Sequence, residues 1–165
     1  MQLLFYYKNK TTISTIDLNQ QISKDKFKIT TSTEYLSNNI YKYLINECKK
    51  DNINIYIIKY LVEHGADINE ATKYGETALF NTCKNGNEVV VKYLVEHGAD
   101  VNKEIRNGKT PLFEACSSGN EAVVKYLVEH GANVNKKMNG FSDCFSFSTP
   151  LFNACKSGNE AVVRY

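Results

Sequence analysis

The stretch Gly86-Asn87-Glu88-Val89-Val90-Val91-Lys92-Tyr93-Leu94-Val95-Glu96-His97-Gly98-Ala99-Asp100-Val101-Asn102 returns almost unchanged as Gly119–Asn135. The shift is 33 residues, and in that register 21 of 33 positions are identical between 72–104 and 105–137. The chain is therefore an array of one small unit. A sequence that repeats its side chains also repeats its surfaces, which leaves little room for a one-off catalytic constellation.

The array runs in both directions. Upstream, Tyr60 to Asn69 matches Tyr93 to Asn102, and Leu44 and Cys48 align with Leu79 and Cys83 at a shift of 35. Two extra residues are expected in the turn near Asp51–Asn54. Downstream, Thr149-Pro150-Leu151-Phe152 answers Thr110-Pro111-Leu112-Phe113 at a shift of 39, so six residues are inserted near Phe141–Ser148.

Within 105–137, Thr110 is suited to an N-cap and Pro111 to the first helical position, where its missing N–H costs nothing. Leu112, Ala115 and Cys116 share one face of a short first helix. Gly119 ends it, and Asn120 caps a second helix with Glu121 in its first turn. Val123, Val124, Leu127 and Val128 form the apolar face, His130 lies in the last turn, and Gly131 supplies the left-handed stop. Helices this short are marginal in water, so each pair needs a stacked neighbour.

The period and the Thr77-Ala78-Leu79-Phe80, Thr110-Pro111-Leu112-Phe113 and Gly98-Ala99-Asp100-Val101-Asn102 segments resemble the ankyrin repeat, whose signature is Thr-Pro-Leu-His-x-Ala over 33 residues. Phe80, Phe113 and Phe152 stand where that family carries His, and Cys83, Cys116 and Cys155 where it carries a second Ala. The resemblance covers about 37–165 and implies an all-α solenoid of helix-turn-helix units with hairpin-like connecting loops. The units are about 37–71, 72–104, 105–137 and 138–165, the last incomplete. Residues 1–36 do not fit the repeat; they read either as a degenerate capping unit or as a leader.

The remaining chemistry is periodic. His64, His97 and His130 share one repeat position, and packed helices lie about 8–10 Å apart, too far for rings to converge on a metal. They read as polar residues at helix ends. Cys48, Cys83, Cys116 and Cys155 also share one position, which excludes bridges among them; all four read as small buried core residues in a reducing compartment. Cys144, in the insertion, reads as exposed. There is no phosphate-binding glycine motif or nucleophile elbow, and no cofactor is expected. Net charge is +2, Lys and Glu alternate, and no basic stripe for nucleic acid is evident. The Leu3–Tyr7 run is far shorter than the roughly 18 residues of a membrane span and lacks the flanks of a signal peptide. The expected location is cytoplasmic, with the nucleus as alternative, and the expected state is a monomer.

Units differ mainly at their starts and at the ends of their first helices. The resemblance implies that these positions line a concave groove that binds another protein. The candidates are Lys73, Tyr74, Glu76, Lys84 and Asn85, then Arg106, Asn107, Lys109, Ser117 and Ser118, then Lys156 and Ser157. Tyr and Arg are the side chains most often found as interface hot spots, which singles out Tyr74 and Arg106. The aromatics of the insertion, Phe141, Phe145 and Phe147, either tuck onto the stack or offer an apolar contact. A second reading makes the array the targeting arm of a larger enzyme or ubiquitin-ligase adaptor. The packing assignment has a direct check: Ala115→Glu should cost several kcal/mol by burying an unpaired charge, and a thermal melt with little loss would refute it.

Overall fold

The computed structural model describes residues 40–138 and 148–164. They form eight α-helices in four antiparallel pairs and no strands. The pairs are α1 (Ile40–Cys48) with α2 (Ile55–Glu63), α3 (Ala78–Asn85) with α4 (Glu88–Glu96), α5 (Pro111–Ser118) with α6 (Glu121–Glu129), and α7 (Pro150–Lys156) with α8 (Glu160–Arg164). First helices pack on first helices and second on second, and the first-helix row is the more closely packed. The insertion residues 139–147, with Phe141, Cys144, Phe145 and Phe147, and the segment 1–36 lie outside the described residues.

Local chemistry sets each helix boundary. Asn54, Asn87 and Asn120 cap α2, α4 and α6, their Oδ1 atoms accepting from Tyr56 N (3.0 Å), Val90 N (3.1 Å) and Val123 N (3.1 Å). Asn87 lies two residues after α3, whereas Asn54 lies six after α1. Since α1 already ends at the cysteine position, the first turn carries two extra residues, as the change of register from 35 to 33 requires. First helices α3 and α5 stop at Gly86 (φ 67°) and Gly119 (φ 73°), a region that suits glycine.

Thr110 departs from expectation. Thr77 and Thr149 cap their helices, accepting from Phe80 N at 3.2 Å and Phe152 N at 3.3 Å. Thr110 sits at the N-cap of α5 with extended backbone, but its side chain makes no capping bond. Phe113 N bonds instead to the carbonyl of Thr110 at 3.0 Å, a tighter i→i+3 turn that draws the donor away from the hydroxyl. Thr110 Oγ1 is left buried without a hydrogen-bond partner.

The core follows the repeat. Leu44, Leu79 and Leu112 on first helices and Leu61, Leu94 and Leu127 on second helices are all at most 1% exposed. Each such side chain contributes about 1.5–3 kcal/mol on burial. Ala115 and Cys116 are buried between α3 and α7, so small residues set the close approach of the first-helix row. Cys48, Cys83 and Cys116 are buried free thiols. Burial raises the first two well above the ordinary thiol range, with Glu47 and Glu114 adding to it, and pushes Cys116 up to about 11.

Cys155 corrects the core reading: it is exposed. Leu151 and Phe152, at 55% and 47%, are exposed too, whereas their counterparts Leu112 and Phe113 are 1% and 0%. On α5 that face is covered by α7. On α7 no described element covers it, so the repeat position alone does not bury the side chain.

Polar bonds hold the units in register. Asn69 Nδ2 donates to Gly98 O (2.9 Å) and its Oδ1 accepts from Asp100 N (2.8 Å). One unit on, Asn102 does the same with Gly131 O (2.9 Å) and Asn133 N (2.8 Å). Asn120 Nδ2 reaches back to Gly86 O at 2.7 Å. These amides satisfy backbone groups that the ends of short helices leave open.

Two measurements check this packing. A Cβ on Gly75 (φ 89°) would lie 2.8 Å from the backbone Cα of Ile105, whereas one on Gly98 (φ 89°) would meet nothing within 4 Å. Gly98→Ala should therefore cost about 1–2 kcal/mol of left-handed strain, and Gly75→Ala roughly 1–3 kcal/mol more from overpacking, read by chemical denaturation. Equal losses would refute the close approach of the two connecting loops. In the native protein at pH 8, alkylation mapped by peptide mass should modify Cys155 well before Cys48, Cys83 or Cys116, because the thiolate is the reactive form. Comparable labelling of all four would contradict the burial.

Candidate partner-binding surface

The connecting loops before α3 and α5 are hairpin-like tips without a strand ladder. In the first, Thr72 N bonds Glu76 O (2.9 Å) and Gly75 N bonds Thr72 O (2.8 Å). Thr72 Oγ1 also accepts from Tyr74 N and Glu76 N, each at 3.3 Å. The next tip repeats the frame with Ile105 N to Lys109 O (3.0 Å) and Gly108 N to Ile105 O (2.8 Å), and Asn107 Oδ1 accepts from Lys109 N (3.2 Å). A main-chain bond, Arg106 N to Tyr74 O at 3.1 Å, joins the two tips.

That junction brings Tyr74 and Arg106 together. Tyr74 is 51% exposed. The Arg106 guanidinium carbon lies 5.5 Å from its ring centroid and Lys73 Nζ 5.0 Å, both within cation–π range. Lys73 and Arg106 are themselves exposed. Two sequence candidates in neighbouring units thus form one aromatic-cation cluster.

Other candidates are engaged within the molecule. Glu76 pairs with Lys49 at 2.7 Å and Lys109 with Glu114 at 3.1 Å. Asn85 Nδ2 donates to Lys50 O (3.0 Å) and Cys48 O (3.3 Å), closing the end of α1. Ser118 Oγ donates to Ala115 O at 3.0 Å. Lys84, Ser117, Lys156 and Ser157 are exposed at the ends of first helices. The Lys49–Glu76 pair runs from the end of one first helix to the tip of the next unit, so tips and first-helix ends open on one surface.

Lys49 and Glu114 are the residues that sequence reasoning passed over. Lys49 holds the repeat position of Lys84, which was chosen. Glu114 replaces Asn81 and Asn153, a difference between units that lies inside a helix rather than at its end.

The second helices carry a different, strictly repeated pattern. His64, His97 and His130 pack on Tyr60, Tyr93 and Tyr126, stacked in the first pair and tilted by 34° and 31° in the others, with centroids 3.9–4.0 Å apart. Each Nδ1 lies 2.7 Å from that tyrosine's carbonyl oxygen. A carbonyl only accepts, so Nδ1 carries the hydrogen, and each ring ties off its own helix end. Lys59 lies over Tyr93 and Lys92 over Tyr126, at 5.5 and 5.6 Å. The hydrogen-bonded pair with Glu88 raises the Lys92 pKa, and partial desolvation with Glu96 raises that of Tyr126. Among the described residues no group of three or more His, Cys, Asp or Glu is placed to hold a metal, and no helix is long and apolar enough to cross a membrane.

Two family models match the chain. One, described as ankyrin repeats in three copies, covers residues 44–138; the other, ankyrin repeats in many copies, covers 112–165. No curated relative is detected. Ankyrin repeats are generally modules for protein–protein interaction. With four helix pairs, glycine stops on α3 and α5 and these matches across most of its length, the chain belongs to the ankyrin-repeat family.

Proposed function

We propose that this array is a non-catalytic scaffold that binds a partner protein across its tips and first-helix ends. The observation that carries the reading is the Tyr74 cluster: a half-exposed ring flanked by Lys73 and Arg106 at the junction of two tips. Tyr and Arg anchor interfaces because they contribute large contact area and several directed bonds at modest entropic cost. Here their backbone is already fixed by neighbouring units, so little ordering remains to oppose binding.

Selectivity in this reading comes from the tips, where units differ, and rigidity from the helices, where they agree. The second helices α2, α4 and α6 repeat the same Lys, Tyr and His and differ most visibly at one exposed position, Tyr56, Val89 and Ala122. Three buried free thiols support a reducing compartment, cytoplasm or nucleus.

The test is affinity capture from native cell extract with the full chain and with Tyr74→Ala/Arg106→Ala. The double variant should lose its specific partner by more than about 1 kcal/mol, roughly fivefold or more in affinity, while its melting curve stays at the wild-type position. Lys59→Ala/Lys125→Ala on the second helices should capture normally. Undiminished capture by the tip variant would end the assignment of this surface.

A further inference from the structure

Charge is segregated on this molecule in a way the alternating sequence conceals. Second-helix ends and the loops after them expose Glu63, Asp67, Glu96, Asp100 and Glu129. The tip surface is the opposite. Its carboxylates Glu76, Glu104 and Glu114 are each held by a lysine, Lys49, Lys136 and Lys109, at 2.7, 2.6 and 3.1 Å. Lys73, Lys84, Lys103 and Arg106 have no carboxylate partner among the described residues, and only Asp51 and Glu70 remain to oppose them.

The excess arises from one change of repeat position. Lys49 reaches Glu76 in the next unit. One unit on, the equivalent positions hold Lys84 and Lys109, two cations where the previous unit has a pair. Lys109, in the tip, turns to Glu114 on the helix that follows it, α5, and Lys84 is left exposed at the end of α3. Arg106 adds a directed group. Its guanidinium carbon sits 5.5 Å from the Tyr74 ring centroid, and no carboxylate of the described residues engages its N–H groups, which suit a carboxylate fork.

We propose that the occupant of this surface is an acidic protein segment whose Asp or Glu carboxylates meet Lys73, Lys84 and Arg106; this rests on the partner-binding reading above. A protein segment fits better than nucleic acid. The cations are interrupted by Glu76, Glu104 and Glu114, which oppose a continuous phosphate backbone. Single-stranded nucleic acid also wants a row of stacking rings, and among the described tip residues Tyr74 is the sole aromatic, already flanked by two cations.

The experiment uses the full chain and a dye-labelled oligo-glutamate peptide, with the oligo-glutamine peptide and a single-stranded oligodeoxynucleotide as alternatives, read by fluorescence anisotropy. The glutamate peptide should bind, weaken with added salt, and outcompete both alternatives. Lys73→Glu/Lys84→Glu should weaken it by about tenfold or more. Lys59→Glu/Lys125→Glu makes the same change in net charge on the second helices and should stay within about twofold. Circular dichroism confirms that both variants fold. Equal loss from both pairs, equal binding of glutamine, absence of glutamate binding or preference for the oligodeoxynucleotide would each overturn the proposal. If any of these occurs while partner capture still depends on Tyr74 and Arg106, the acidic occupant falls and the partner-binding reading stands. If capture is indifferent to those two residues, that reading itself falls.

Discussion

Every feature of this protein depends on the close approach of neighbouring first helices. A pair of eight- and nine-residue helices buries only one of its apolar faces internally and cannot persist alone. Ala115 and Cys116, with no bulk beyond the β- or γ-atom, let α3, α5 and α7 come together, and the leucines and valines then fill the space on either side. The exposed Leu151, Phe152 and Cys155 show the same dependence from the other direction: with no described element against them, side chains of core type are exposed.

Dispersion alone would let units slide or rotate on one another. Register comes from asparagine amides, each bonded to backbone in an adjacent unit through both donor and acceptor. An amide is suited to this, since it donates and accepts from one planar group and carries no charge to desolvate. The same residue type caps the second helices, so one kind of side chain serves both the helix boundary and the joint between units.

Much of this was legible in the sequence because it is periodic. The helix pairs, the Asn caps of α4 and α6, the glycine stops and the extra residues before α2 all follow from spacing and turn chemistry. What escaped is aperiodic or depends on neighbours. Thr110 has the same local sequence signal as Thr149, yet its helix begins with a tighter turn and its hydroxyl is unused. Cys155 shares a repeat position with three buried cysteines and is exposed, since burial there depends on a packed neighbour and no described element lies against that side of α7. Alternating Lys and Glu read as evenly solvated faces. Only the fold sorts them, by pairing some with carboxylates across units and leaving others without. The Tyr74–Arg106 contact joins residues 32 positions apart, and the sequence offered both as candidates but not their union.

The bond from Arg106 N to Tyr74 O has an evolutionary corollary. It is made by main chain alone, so it survives nearly any change of side chain at either position, while the nearby Gly75 admits no substitute without backbone movement. The side chains at 74 and 106 can therefore change around a fixed hinge of glycine and amide. Under the proposed partner-binding role, such an array could change its ligand by single-codon steps without first passing through an unfolded ancestor.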